Sequence, residues 1–256
     1  MVRVLTLNAH KGFSWMNRRF VLPGIRQALR MTSADVVFLQ EVVGENAVKA
    51  ARHGEWPPVP HYEFLAESVW PEYAYGRNVV YSHGHHGNAI LSRYPIRHAE
   101  RVDISTNRVE RRGLLYCAID WPLSDTVLHC VCVHLGLFAR SRRKQLDMVA
   151  EYAADRVPAD EPLVIAGDFN EWIARRGKAF VADLGLTDAI VATRGRMART
   201  YPSLLPVLPL DRIYCRSLRV LGSDVLRNRA WSALSDHAGV TADVTAHALP
   251  VPVPAA

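Results

Sequence analysis

Residues 163–172 read LVIAGDFNEW: five apolar or small side chains lead directly into Asp168, Asn170 and Glu171. A short apolar run bounded by polar residues marks a strand destined for the core. Where such a strand runs out, its last polar side chains stand on a backbone that the core holds rigid, as a functional site requires. The pattern repeats outward along the chain. VLTLN stops at Asn8, VVFLQE at Glu41 and VCVH at His134, while PLDRI supplies Asp211 and LSDHAGV supplies Asp236 next to His237. If these ends share one rim, carboxylates, amides and imidazoles meet in a single solvent-facing pocket.

VRVLTLN, ADVVFLQEV, GNAILSRYPI, GLLYCAIDW, TVLHCVCVHL, PLVIAGDFN and PLDRIYC are rich in β-branched and aliphatic residues and read as strands. SRRKQLDMVAEYAADRV places Leu146, Val149, Ala150 and Ala153 at i, i+3, i+4 and i+7, the stripe of a helix that covers a sheet. RRFVLPGIRQALRM also reads as helical, with Leu22, Ile25 and Leu29 on one side and Pro23 blurring its start. These elements interleave without a strict β-α-β rhythm or a Gly-rich phosphate loop, which points to mixed sheets with helices outside them. Residues 52–87 carry prolines, glycines and aromatics and are expected to contain long surface loops. Residues 1–246 are expected to form one domain, and 247–256, HALPVPVPAA, an extended and mobile Pro-rich tail.

At 256 residues, 49% hydrophobic and 22% charged, the chain has the composition of one globular α/β domain. No apolar run approaches the roughly 20 residues of a membrane helix. The polar cluster in MVRVLTLNAHKG comes too early for a signal peptide, so a cytoplasmic location is expected. Cys130 and Cys132 alternate along one strand, where a bridge between them is awkward, so reduced and buried thiols are expected. A net charge of +6 implies attraction to polyanions: nucleic acid, anionic lipid or phosphorylated small molecules.

Hard dications such as Mg²⁺ take oxygen ligands and are often held by one or two carboxylates. Glu41 suits that role. Hydrolysis of a phosphate ester further needs a base for water, donors for the phosphoryl oxygens, and a cation or acid for the leaving group. An Asp–His pair supplies an oriented base. Asn8 and Asn170 offer neutral donors that leave neighbouring carboxylate ligands undisturbed.

In this order, TLNAHKG, FLQEV, GNAILSR, VHLGL, GDFN, LDRI and SDHAGV resemble the endonuclease/exonuclease/phosphatase superfamily, over about residues 2 to 240. That superfamily includes deoxyribonuclease I, abasic-site endonucleases, neutral sphingomyelinases and inositol polyphosphate 5-phosphatases. The resemblance implies an α/β (α+β) DNase I-like four-layer sandwich, two packed mixed β-sheets between helices, with Mg²⁺-dependent phosphoester cleavage at one sheet edge. Carried onto this chain, it makes Glu41 the metal-binding glutamate with Asn8 beside it, and Asp168 and Asn170 the GD-x-N pair. It makes His134 the histidine of the DNase I and sphingomyelinase branches, and His237 the catalytic histidine, with Asp211 as its partner and Asp236 next to it as a second metal ligand. His10 stands where abasic-site endonucleases tend to carry an aspartate, and PLDRIYCR replaces the Trp-Cys-Asp-Arg run of 5-phosphatases.

The expected activity is therefore in-line attack on a phosphodiester by water activated by His237 with Asp211. Mg²⁺ is the expected cation, Mn²⁺ the substitute. DNA is the expected substrate because of the basic charge, with no protein partner. Arg111, Arg112 and His10 are candidates for contacting the substrate phosphate. One rival keeps the chemistry on a phospholipid head group or phosphorylated small molecule; another is a catalytically silent binding module. A zinc site at Cys130, Cys132 and His134 is a minor alternative, and His83, His85 and His86 are read as a solvated loop near the rim.

Overall fold

The computed structural model describes residues 1–122, 126–171 and 177–246; the tail expected at 247–256 lies outside the described residues. Twelve strands are described: β1 Val2–Asn8, β2 Val36–Asn46, β3 Glu72–Tyr81, β4 Gly84–Ser92, β5 Ile96–Asp103, β6 Gly113–Asp120, β7 Val127–His134, β8 Leu163–Asp168, β9 Thr187–Asp188, β10 Asp211–Arg216, β11 Leu218–Leu226 and β12 Gly239–Ala246. The helices are α1 Leu22–Met31, α2 Ala47–Ala50, α3 His61–Ala66, α4 Ala139–Arg156, α5 Gly177–Asp183, α6 Ala189–Arg194 and α7 Arg229–Ser232.

The strands form two six-stranded mixed sheets, ordered β11-β12-β1-β2-β4-β3 and β5-β6-β7-β8-β10-β9. Side-chain alternation sorts each strand into two environments. From β1, Val2 and Val4 enter the core between the sheets, while Leu5 and Leu7 pack under Ile25 and Leu29 of α1. From β8, Val164 and Ala166 join the inter-sheet core, and Leu163 and Ile165 meet Leu146, Val149 and Ala153 of α4. Both faces being dry is why these strands read as unbroken apolar runs. The result is the four-layer sandwich expected from the sequence. Helix α4 lies where its stripe placed it, with Ala150 only half-buried at its margin. Helix α1 begins at Leu22, so Pro23 falls in its first turn, where a missing N–H costs nothing.

Residues 52–87 are more ordered than expected. They hold α3, all of β3 and the start of β4, so His85 and His86 belong to a strand, and only a tight turn at Ser82–His83 separates it from β3. The strand β3 closes one sheet edge and is only intermittently buried, so its Tyr and Val residues never make the continuous run that marks a core strand. All four cysteines are free and buried; Cys130 and Cys132 lie in the inter-sheet core, with Cys132 accepting a hydrogen bond from Gln40 Nε2 at 3.2 Å.

His61 of α3 is 1% exposed against Trp56, with a ring separation of 4.4 Å, and neither ring nitrogen has a hydrogen-bond partner. Burial, with Lys49 nearby, pushes its imidazole down to about 3 from 6.5. The folded state therefore holds it neutral while the unfolded chain takes up a proton below pH 6.5. Stability from this residue is complete above that pH and lost as pH falls. We expect thermal melts to lose about 2 kcal/mol between pH 6.5 and 5 through His61 alone. His61→Leu should show a visibly shallower pH slope; an unchanged slope would remove His61 from the account.

Candidate active site

Topology brings the strand ends together. Strands β1 and β2 are parallel neighbours, as are β7 and β8, so Asn8, Glu41, His134 and Asp168 reach the same edge. Strand β10 runs antiparallel to β8 with Asp211 opposite Asp168, and β12 runs antiparallel to β1, so their beginnings reach that edge too. Parity then aims the side chains. His134 continues the series Cys130, Cys132; Asp168 continues Val164, Ala166; Asp211 precedes Ile213 and Cys215, all facing between the sheets.

Glu41 is the exception that needs a device. Simple alternation would send it outward with Val37 and Leu39, but the β2–β4 register slips between Leu39 and Val42 and Glu41 adopts φ 54°. This bulge returns Val42 to the outer core and re-aims Glu41 at the site. Gly167 is a second device. Its φ is 148°, and a Cβ there would lie 1.9 Å from the Val133 carbonyl oxygen, so only glycine lets β7 approach so closely beside Asp168. Just beyond, Asp168 Oδ1 accepts from the Asn170 backbone N–H at 2.9 Å, a turn that sets Asn170 at φ 49°.

At the centre, His237 Nδ1 lies 2.8 Å from Asp211 Oδ2 and its Nε2 faces Asp168 Oδ2 at 3.8 Å. Asn8 Nδ2 donates to the same Asp168 oxygen at 3.1 Å, and His134 Nε2 stands 3.6 Å from it. Ser235 holds the His237 loop in place: its hydroxyl donates to the Asn8 carbonyl at 2.7 Å and accepts from the His237 N–H at 3.2 Å. The Tyr201 ring packs 4.9 Å from the imidazole.

Burial opposes charge on His237, but Asp211, Asp168 and Asp236 outweigh it and push the imidazole up to about 10. Burial raises Asp168, partly offset by His237 and opposed further by His134. Burial and Arg112 push His134 down to about 4, so it is neutral at ordinary pH. Burial also works against ionisation of Glu41, yet Lys11, His134 and His10 hold its carboxyl well below the usual range. Lys11 Nζ bonds directly to Glu41 Oε2.

The remaining expected residues divide. His10 Nδ1 is buried without a hydrogen-bond partner, 3.6 Å from Asp236 Oδ1. Arg112 is a rim residue that also donates to the Leu135 carbonyl at 3.1 Å, whereas Arg111 is half-exposed and turned to Asp103 at 3.9 Å. Asn170 Nδ2 spends one N–H on the Leu135 carbonyl at 2.9 Å. His86 lies close enough to Lys11 and Glu41 to feel both, and burial pushes it down to about 4. Lys11, Ser235 and Tyr201 escaped the sequence reading because each acts through a contact to a residue far away in the chain.

Among the described residues, one group of three metal-ligating side chains converges: ligand atoms of Asp168, Asp211 and His237 lie within 4.8 Å of one another. The cysteines with His134 form no such group, so the zinc alternative finds no support there. Asp211 Oδ1 is buried and lacks a hydrogen-bond partner. A carboxylate-rich cluster with an orphaned carboxylate oxygen suits a hard dication. Glu41 and Asp236 lie outside that tight group, each beside His10.

A family model described as Endonuclease/Exonuclease/phosphatase family matches residues 5–237. The chain is 47% identical over 242 residues to the uncharacterized protein YbhP of Escherichia coli K12, covering 94% of this chain and 95% of that one. The fold is similar to the mannosyl-6-phosphatase Bt3783 of Bacteroides thetaiotaomicron, with a TM-score of 0.73 and 18% identity over 96% of this chain and 100% of the other. It is likewise similar to D. rerio TDP2 complexed with single strand DNA product, with a TM-score of 0.68 and 20% identity over 95% and 98% of the two chains.

Proposed function

This chain belongs to the endonuclease/exonuclease/phosphatase family of phosphoric ester hydrolases, and on that premise we propose that it is a Mg²⁺-dependent phosphodiesterase. The observation that carries the reading is the Asp211–His237–Asp168 arrangement, 2.8 Å on one side of the imidazole and 3.8 Å on the other. Asp211 fixes the ring through Nδ1 and leaves Nε2 to meet a water or a phosphoryl oxygen.

Glu41 and Asp236, together with Asp168 and Asp211, are the residues that would hold Mg²⁺ or Mn²⁺. Such an ion offsets charge on the phosphoryl oxygens and the leaving group. The carboxylates around His237 favour its protonated form; its neutral form is the one that can accept a proton from water. In that state it is the base, and Asp211 stabilises the imidazolium it becomes. Asn8 and the second N–H of Asn170 donate to phosphoryl oxygens, and neutral His134 adds a further uncharged donor. Arg112 clamps the substrate phosphate at the rim, His10 contacts it from beside Asp236, and Arg111 serves the outer approach.

Substrate is the finer question. A net charge of +6 supports DNA, the substrate expected from the sequence, but an anionic lipid surface draws arginine equally well. A catalytically silent module is disfavoured by the presence of every part of the site. The test is a panel of plasmid DNA, abasic oligonucleotide, sphingomyelin and inositol phosphates in Mg²⁺. Cleavage of at least one, lost on adding chelator, is the expected result; cleavage of none in Mg²⁺ or Mn²⁺ would leave the silent module standing.

A further inference from the structure

The loops that leave the catalytic rim carry apolar side chains into solvent. Met16 is 59% exposed on the loop after β1, Val109 91% on the loop between β5 and β6, Leu137 and Phe138 55% and 64% after β7, and Leu204 and Leu205 62% and 73% on the loop before β10. These are four separate excursions of the chain, all from one edge of the sandwich. By contrast, the strongly exposed Met1 and Met31 adjoin the opposite ends of β1 and β2.

The tips are tied to the site and to each other. The Leu137 N–H donates to Glu110 Oε1 at 3.0 Å, joining the second excursion to the third. The Ser203 N–H donates to the Asp236 carbonyl at 2.7 Å, anchoring the fourth beside His237. Arginines flank every tip: Arg18 and Arg19 beside Met16, Arg108 and Arg111 around Val109, Arg140 after Phe138, and Arg196 and Arg199 ahead of Leu204, all exposed. The loop of Leu204 also walls a cavity of about 550 Å³ lined by Arg194, Arg196, Arg199 and Arg227, a basic recess large enough for a head group.

Leucine, valine, phenylalanine and methionine at loop tips gain nothing from the phosphate backbone of a nucleic acid, where contacts are polar. They gain from entering the head-group region of a bilayer, and flanking arginines gain from anionic lipid at the same depth. We propose that the rim is a membrane-docking face that seats the active site on an anionic bilayer, with a phospholipid head group as the phosphodiester presented to it. The proposal rests on the phosphodiesterase reading of the site and extends it to substrate class.

The test is vesicle flotation of the full chain in chelator, so that binding is read without hydrolysis. Phosphatidylcholine vesicles are compared with vesicles that also contain phosphatidylglycerol, and a labelled oligonucleotide is the third ligand. The chain should float with the anionic vesicles, and the pairs Leu137→Ser/Phe138→Ser and Leu204→Ser/Leu205→Ser should each weaken that binding about tenfold or more. Both pairs should hydrolyse a soluble chromogenic phosphodiester in Mg²⁺ at the wild-type rate, because none of the four residues belongs to the catalytic machinery. Failure of the wild type to float with anionic vesicles overturns the docking face, as does undiminished flotation of the serine variants. Loss of oligonucleotide binding in those variants, with vesicle binding intact, assigns the face to nucleic acid and overturns it too. Absence of soluble-ester hydrolysis in the wild type strikes the catalytic reading instead, and the flotation result stands apart from it.

Discussion

His237→Ala is expected to lower kcat for phosphodiester hydrolysis by about 10²- to 10⁴-fold, the span of a lost general base. The imidazole lies between two buried carboxylates at the rim, 2.8 Å from Asp211 and 3.8 Å from Asp168. His134 is nearest in kind, yet burial and Arg112 hold it at about 4, too weak a base to substitute. The truncation also removes a positive charge from beside Asp168 and Asp211. Asp168, whose ionisation burial already opposes, then loses the charge that offsets that burial. Folding of the variant is therefore checked by circular dichroism in the same buffer as the assay. A folded His237→Ala protein that keeps more than about a tenth of wild-type turnover would remove this residue from the chemistry.

Gly167→Ala should produce a large loss of stability. The added Cβ would meet the Val133 carbonyl oxygen at 1.9 Å, with the carbonyl carbon at 2.9 Å, and both belong to backbone that cannot swing aside. The strand pair β7–β8 must part, and the new side chain must accept φ 148°, a region L-residues avoid. A cost of about 3 kcal/mol or more is expected, equivalent to a fall in Tm of roughly 10 °C for a domain of this size. Turnover should fall with it, since Asp168 is the next residue and His134 lies across the same pairing. A melt within about 2 °C of wild type would show that the β7–β8 approach is not what demands glycine here.

How much of this was legible in the sequence depends on burial. The strands β1, β2, β7 and β8 are dry on both faces, so hydrophobicity alone outlined them and showed where each one ended. Parallel pairing then carried Asn8, Glu41, His134 and Asp168 to one edge without further instruction. Edge strands were harder. In β5, with one exposed face, IRHAERVD offers no apolar run, and β3 was lost among prolines and glycines that punctuate its flanks. The side-chain devices were out of reach for another reason. A bulge at Glu41, an ammonium from Lys11 against it, and a guanidinium at Arg112 aimed inward while Arg111 turns to Asp103 all depend on local register, which adjacent residue identities do not encode. The exposed apolar tips were equally invisible, because a single Val109 or Phe138 in a sequence carries no mark of whether it is buried.

The central claim is that these rim residues hold a dication and hydrolyse a phosphodiester. Its most direct measurement is turnover of a soluble chromogenic phosphodiester by the full chain, first stripped with chelator and then given Mg²⁺ stepwise, beside Glu41→Gln treated identically. The stripped wild type should be silent and should regain activity as Mg²⁺ is added, while Glu41→Gln should stay silent at the same concentrations. Hydrolysis that survives the chelator, or a Glu41→Gln protein that responds to Mg²⁺ as the wild type does, would contradict it.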